Sequence, residues 1–188
     1  MAIKHSTAPD PSAQAIRARV LHSIARNRNP GLHFAGHFLD FEWGRIADDG
    51  ASISIDDGPH CRDADGHVDI AALAVLADMT LSTAARPRLA PGARLATMHM
   101  QMQFTGAPAT GRIVAAGRLL EFSSGIALRQ FLSAATLSAN GKVIAYASGE
   151  FAALDPPPGV SLAPLPWQQD EPPQTGTIEE HELAAHER

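Results

Sequence analysis

Residues 69 to 85, DIAALAVLADMTLSTAA, constrain the fold more than any other stretch of this chain. Alanines stand at 71, 72, 74, 77, 84 and 85, with Leu73, Leu76 and Leu81 between them, and no charged stripe begins before Arg86. A helix that is apolar on nearly every side is one that the rest of the domain must enclose. The alanines keep it slim, so a curved sheet can close tightly around it. Asp69 stands where an N-cap belongs, its carboxylate set against the positive end of the helix dipole. Asp78 is the exception, an ionisable acid in the middle of the segment, where burial is costly.

The enclosing strands are legible on both sides. FLDFEWGRI (38–46) and, after the turn-like ADDG, ASISI (51–55) read as two antiparallel strands. Beyond RPRLAPGA, four more strand patterns cover 94–104, 111–121, 125–138 and 142–152, separated by TGAPATG, SSG and ANG. The order is two strands, one long helix and four strands, an α+β pattern with an antiparallel sheet. In 94–104, Met98, Met100, Met102 and Phe104 alternate with His99, Gln101 and Gln103, which gives one apolar and one polar face. The methionine row reads as core filling, and flexible thioethers also suit an acyl-chain pocket.

The ends differ in character. Residues 1–30 form a helical arm: Asp10 or Ser12 caps it, Ala15, Ile16, Val20, Leu21 and Ile24 give an apolar stripe, and Asn29, Pro30 and Gly31 end it. Arg19, Arg26 and Arg28 lie toward the negative end of its dipole. Residues 31–154 form the folded domain. Residues 155–188 hold seven acids against Arg188 alone and seven of the 14 prolines, the composition of an extended acidic tail. In that tail Trp167, with Leu162 and Leu165, can pin part of the chain to the body, and IEEHELAAHE can form a short helix.

Composition excludes several partners. A formal net charge of -5 attracts neither nucleic acid nor anionic lipid. No run approaches the roughly 20 apolar residues that span a bilayer, so no membrane partner is expected. MAIKHSTAPDPSAQ lacks the apolar centre of a signal peptide, and the single Cys61 has no internal partner for a disulfide, which together point to the cytoplasm. His60, Cys61, Asp63, Asp65, His67 and Asp69 crowd one loop, but their spacing fits no strong metal motif and no metal is expected. No Walker or dinucleotide glycine motif is present, so no nucleotide cofactor is expected.

Over roughly residues 31–154 the chain resembles the hotdog-fold acyl-CoA thioesterases, in particular the phenylacetate-degradation-like branch. The resemblance rests on Gly66 and Val68 leading into the helix, on LAD at Leu76, Ala77 and Asp78, and on the stretches LATMHMQMQFTGAPATGRIVAAGRLLEFSSG and ANGKVIAYASGEF. It departs from the family where the usual HGG falls on Asp69, Ile70 and Ala71. The resemblance implies a hotdog fold, a six-stranded antiparallel sheet wrapped around a long central helix, here with an N-terminal helix and an extended C-terminal tail. It implies an acyl-CoA substrate, no cofactor, and a homodimer or homotetramer with active sites between subunits. Asp78 would be the catalytic acid, acting as general base on water or attacking the thioester carbonyl to give an anhydride. The backbone amides of Ile70 and Ala71 would receive the oxyanion, where free amides and the dipole favour negative charge.

Ser82, four residues after Asp78, can share its helical face and hold the water, as a hydroxyl does in some members; the alternative is a serine bonded back to its own helix. Asp69, His67, Met98, Met100 and Arg118 are placed on the substrate side. Arg86, Arg88, Arg94, Arg118 and Arg129 can meet coenzyme A phosphates. GHF at 36–38 resembles a hotdog dehydratase motif without its proline-glycine continuation, which leaves His37 structural or pocket-lining. For Asp78 itself, the alternative is a buried acid bonded to strand backbone or meeting a neighbouring subunit. The corresponding alternative function is a non-catalytic hotdog protein that binds acyl-CoA or a related ligand.

Overall fold

A computed structural model describes residues 11–27, 34–89, 93–124 and 129–155. The tail beyond Asp155, with Trp167, Leu162, Leu165 and IEEHELAAHE, lies outside the described residues, as do Asp10, Arg28, Asn29, Pro30 and Gly31. Helix α1 (Pro11–Arg26) and the short α2 (Phe34–Leu39) precede β1 (Glu42–Ala47) and β2 (Gly50–Asp56). The long helix α3 (Ile70–Ala85) runs into a single 3-10 turn, Arg86–Arg88. Four long strands follow: β3 (Arg94–Phe104), β4 (Arg112–Ser124), β5 (Arg129–Ala139) and β6 (Lys142–Leu154). Together the strands form one antiparallel sheet in the order β1-β2-β4-β5-β6-β3.

α3 lies against one face of that sheet. Leu73, Leu76, Ala77, Leu81 and Ala85 are buried in one cluster with Ile53 and Ile55 of β2, Ile113 and Ala115 of β4, and Phe131, Leu137 and Phe151 of β5 and β6. Burying each large side chain fully contributes about 1.5–3 kcal/mol, so this helix–sheet contact is the main stabilising layer. The approach is closest at Gly117, where a β-carbon would come within 2.9 Å of Thr80 Cγ2 and 3.0 Å of the Thr80 carbonyl oxygen. Shifts in strand register, including an extra residue at Met98 in β3 and at Leu120 in β4, bend the sheet around the helix. The β5–β6 hairpin closes through Asn140 and Gly141, both at positive φ, as a two-residue primed turn requires.

Three local expectations are corrected. Phe38 and Leu39 belong to α2, not to a first strand; Asp40 at φ 56° stops that helix, and β1 begins at Glu42. In α1 the packed line runs through Ile16, Arg19, Val20 and the fully buried Ser23, whereas Leu21 and Ile24 are each 47% exposed. That line is narrow because α1 packs on α2, a partner only six residues long. Met98 leaves the apolar row of β3, because it is the bulged residue and is 52% exposed.

Candidate active site

The sheet and α2 do not enclose α3 completely. Ala71, Ala74, Val75, Asp78, Met79 and Ser82 remain exposed or half-buried, and their spacing of three and four residues makes them one continuous stripe. Asp78 sits at its centre. Thr97 Oγ1 donates a hydrogen bond of 2.7 Å to Asp78 Oδ1. No cation pairs with this carboxylate among the described residues, and Oδ2 has no protein partner there. Asp78 is therefore an acid held in one orientation with one oxygen open.

Thr97 was not visible in the sequence as a site residue. Before the bulge, Leu95 and Thr97 face the helix, opposite Ala153 and Phe151; after it, Met100 and Met102 do, opposite Gly149 and Ala147. One inserted residue converts odd positions into even ones on the same face. The phase change in the apolar alternation at Met98 is the sequence signal that marks it.

The helix start has its own chemistry. Asp69 is extended at φ -62° and ψ 145°, and its carboxylate accepts a 2.7 Å hydrogen bond from the Ala71 amide. This confirms the N-cap and commits the Ala71 N–H to it. The Ile70 amide has no such partner among the described residues, and the Ile70 side chain is 63% exposed. The preceding loop is held by pairing of Arg62 with Val68, by Val68 N–H to the Ala109 carbonyl at 2.7 Å and by Asp69 N–H to the Cys61 carbonyl at 2.7 Å.

In and beside that loop the Asp63 and Asp57 carboxylates are engaged by neighbours, whereas His60 Nε2 is buried without a hydrogen-bond partner among the described residues. Asp57 accepts from the Gly111 amide and from Arg62, and Asp63 accepts from the amides of Asp65 and His67. Among the described residues no three His, Cys, Asp or Glu side chains converge on a metal position. Burial pushes the Cys61 thiol pKa up, which opposes a thiolate nucleophile. His60 packs edge-on against Phe38 with ring centroids 5.9 Å apart; burial, then the Arg19 charge, lower its pKa. His37 stands in the neighbouring α2.

The remaining site residues divide by position. Ser82 lies beside Asp78 on the stripe, and its hydroxyl donates to the Met79 carbonyl at 3.1 Å. Met100 is half-buried on the helix side of β3, while Met98 faces out at the bulge. His67 is half-buried in the loop before α3. Arg118 is exposed on the face of β4 opposite α3, so one chain does not bring it to Asp78. Arg129 pairs with Asp155, Arg88 and Arg94 are exposed, and Arg86 is half-buried at the C-terminal end of α3. A separate concavity of about 240 Å³ is lined by Glu121, Ser123, Gln130, Leu132 and Glu150; its two carboxylates make it unsuited to phosphates.

No protein-family model and no curated protein matches the sequence. Solved structures do match the architecture. A Bacillus halodurans protein solved with CoA aligns with a TM-score of 0.67 at 12% identity, covering 80% of this chain and 99% of that one. A Haemophilus influenzae thioesterase gives 0.58 at 11% identity, covering 64% and 82%. A mutant of the phenylacetic acid degradation protein PaaI from Thermus thermophilus gives 0.56 at 18% identity, covering 63% and 97%. The chain has the hotdog fold. Asp78, the Ile70 amide and the stripe between them thus lie on the central helix of a hotdog domain, with Thr97 on the edge strand beside it. No helix among the described residues is long and apolar enough to cross a membrane.

Proposed function

We propose that this protein hydrolyses an acyl-CoA thioester to the free acid and coenzyme A in the cytoplasm, with Asp78 as general base. The observation that carries this reading is the Asp78 carboxylate itself: unpaired by any cation among the described residues, oriented by Thr97 and open on an otherwise small, apolar stripe. Asp78 takes a proton from water, and the hydroxide adds to the thioester carbonyl. The oxyanion collapses, the C–S bond breaks, and the thiolate leaves to take up a proton as coenzyme A. Direct attack by Asp78 to give an anhydride is the variant of the same reading.

The oxyanion donor comes from a second copy of the chain. Asp78 lies eight residues after Ile70, about 12 Å along one helix, so the two cannot touch the same carbonyl within one protomer. Strand β3, eleven residues long, ends the sheet, its outer edge paired by no strand among the described residues, and carries Thr97 beside Asp78. A two-fold axis that joins this edge to its mate sets two α3 helices antiparallel, with Asp78 of one near the free amide of the partner's Ile70. A homodimer, or a tetramer built from it, satisfies this requirement.

The alternative, a hotdog protein that binds acyl-CoA without hydrolysing it, draws on one observation. The Asp69 carboxylate occupies the Ala71 amide and places negative charge beside the position where the oxyanion develops. A panel of acyl-CoA thioesters, read by release of free thiol, decides between them. Turnover by the wild type supports the enzyme; saturable coenzyme A binding without turnover on any member supports the binder.

Thr97→Val tests the orientation of the acid. It keeps the shape and removes the donor. A hydrogen bond to a charged group contributes about 1.5–3 kcal/mol, so kcat is expected to fall roughly ten- to a hundredfold while KM changes little. An unchanged kcat would remove Thr97 from the site.

A further inference from the structure

Arg86 is the charged group this mechanism leaves unused. It continues the helical backbone at φ -54° and ψ -42° and follows Asp78 and Ser82 at four-residue steps, so it closes the far end of the same stripe. Eight residues place it about 12 Å from Asp78 along the axis, in the direction opposite to Ile70. Its guanidinium is half-buried, Nη1 donates to the Ala93 carbonyl at 3.1 Å, and among the described residues no carboxylate pairs with it. By contrast Arg19, Arg45, Arg62, Arg112 and Arg129 each meet an acid. Burial holds the Arg86 pKa below the usual guanidinium range.

A guanidinium presents five N–H donors, and one carbonyl engages only part of it; no Arg86 nitrogen is both buried and unpartnered, so the remaining donors stay open to an incoming oxyanion. The negative end of the α3 dipole offsets part of the cost of taking the charge partly out of water, and a bound oxyanion would offset more through charge-assisted hydrogen bonds. Exposed Arg88 and Arg94 nearby add to the positive field at this end, while Asp69 makes the other end of the stripe negative. An anion on the stripe is therefore drawn toward Arg86.

We propose that Arg86 anchors an anionic group of the substrate at the end of the stripe away from Ile70. The inference rests on the thioesterase reading of Asp78 and adds a charge requirement to it. The oxyanion is either a carboxylate at the far end of a dicarboxylic acyl group or a phosphate of coenzyme A, and the fork of Arg86 fits both.

Arg86→Gln retains a donor for the Ala93 carbonyl and removes the charge; Arg86→Lys retains the charge without the fork. Both are assayed with adipoyl and hexanoyl thioesters of coenzyme A and of N-acetylcysteamine, which lacks phosphates. Arg86→Gln is expected to raise KM at least about tenfold, with kcat within about twofold and the melting temperature held. If the acyl carboxylate is the anion, the loss follows adipoyl on both carriers. If phosphate is, it follows both coenzyme A thioesters and spares both N-acetylcysteamine thioesters. Arg86→Lys falls between. Equal KM on all substrates, or a loss common to all that tracks a lower melting temperature, overturns the proposal. Should the wild type hydrolyse nothing, the thioesterase reading fails separately. Titration of wild type and Arg86→Gln with adipate and with coenzyme A then decides the anchor: about tenfold weaker binding of either by the variant supports it, and equal or absent binding overturns it.

Discussion

Asp78→Asn is expected to lower kcat/KM for acyl-CoA hydrolysis by about 10²- to 10⁴-fold, the usual contribution of a general base, while coenzyme A still binds. The substitution is close to isosteric. The amide oxygen can accept the Thr97 hydrogen bond that now reaches Asp78 Oδ1, so the side chain keeps its place and loses only its capacity to take a proton. Thiol release under saturating substrate measures the loss, and calorimetric titration with coenzyme A checks that binding survives. A purely structural acid behaves differently. Removing the charge from a half-buried position that pairs with no cation among the described residues would leave turnover unchanged and raise the melting temperature, and that pair of results would end the catalytic assignment.

The parts legible in the sequence are those fixed by local chemistry. The apolar pattern of residues 70–85 and the carboxylate of Asp69 define α3 and its cap without reference to the rest of the chain. Asn140-Gly141 sets the β5–β6 turn by backbone preference alone. Tertiary contacts decide the rest. Leu39, Phe41 and Trp43 alternate with Asp40 and Glu42 as a strand would, yet contact with α1 and α3 makes Phe38 and Leu39 helical, and Asp40 takes the left-handed conformation that ends the turn. Thr97 reaches Asp78 only because one residue bulges from β3, an event that single-strand periodicity does not announce beyond a change of phase. Arg86 reads as one surface cation among several, because its burial arises where the end of α3 meets the residue before β3.

The same closeness of helix and sheet makes Gly117→Val a large effect far from the stripe. Gly117 lies on β4 beneath α3, and a β-carbon there meets Thr80 Cγ2 at 2.9 Å and the Thr80 carbonyl oxygen at 3.0 Å. Neither can turn aside. Thr80 is fully buried and its hydroxyl donates to the Leu76 carbonyl at 2.7 Å, and the carbonyl oxygen belongs to the helix backbone. Accommodation requires α3 to lift from β4. Overpacking of this kind costs about 1–3 kcal/mol, and for a chain of this size each kcal/mol lowers the melting temperature by about 2–4 °C. The displacement also carries Asp78 relative to Thr97 on β3, so kcat is expected to fall together with stability although Gly117 touches no substrate. Adding Thr80→Ser removes the methyl group and leaves the carbonyl in place. Recovery of melting temperature and kcat in that double variant would show the methyl to be the only obstacle; the backbone contact predicts that neither returns to the wild-type value.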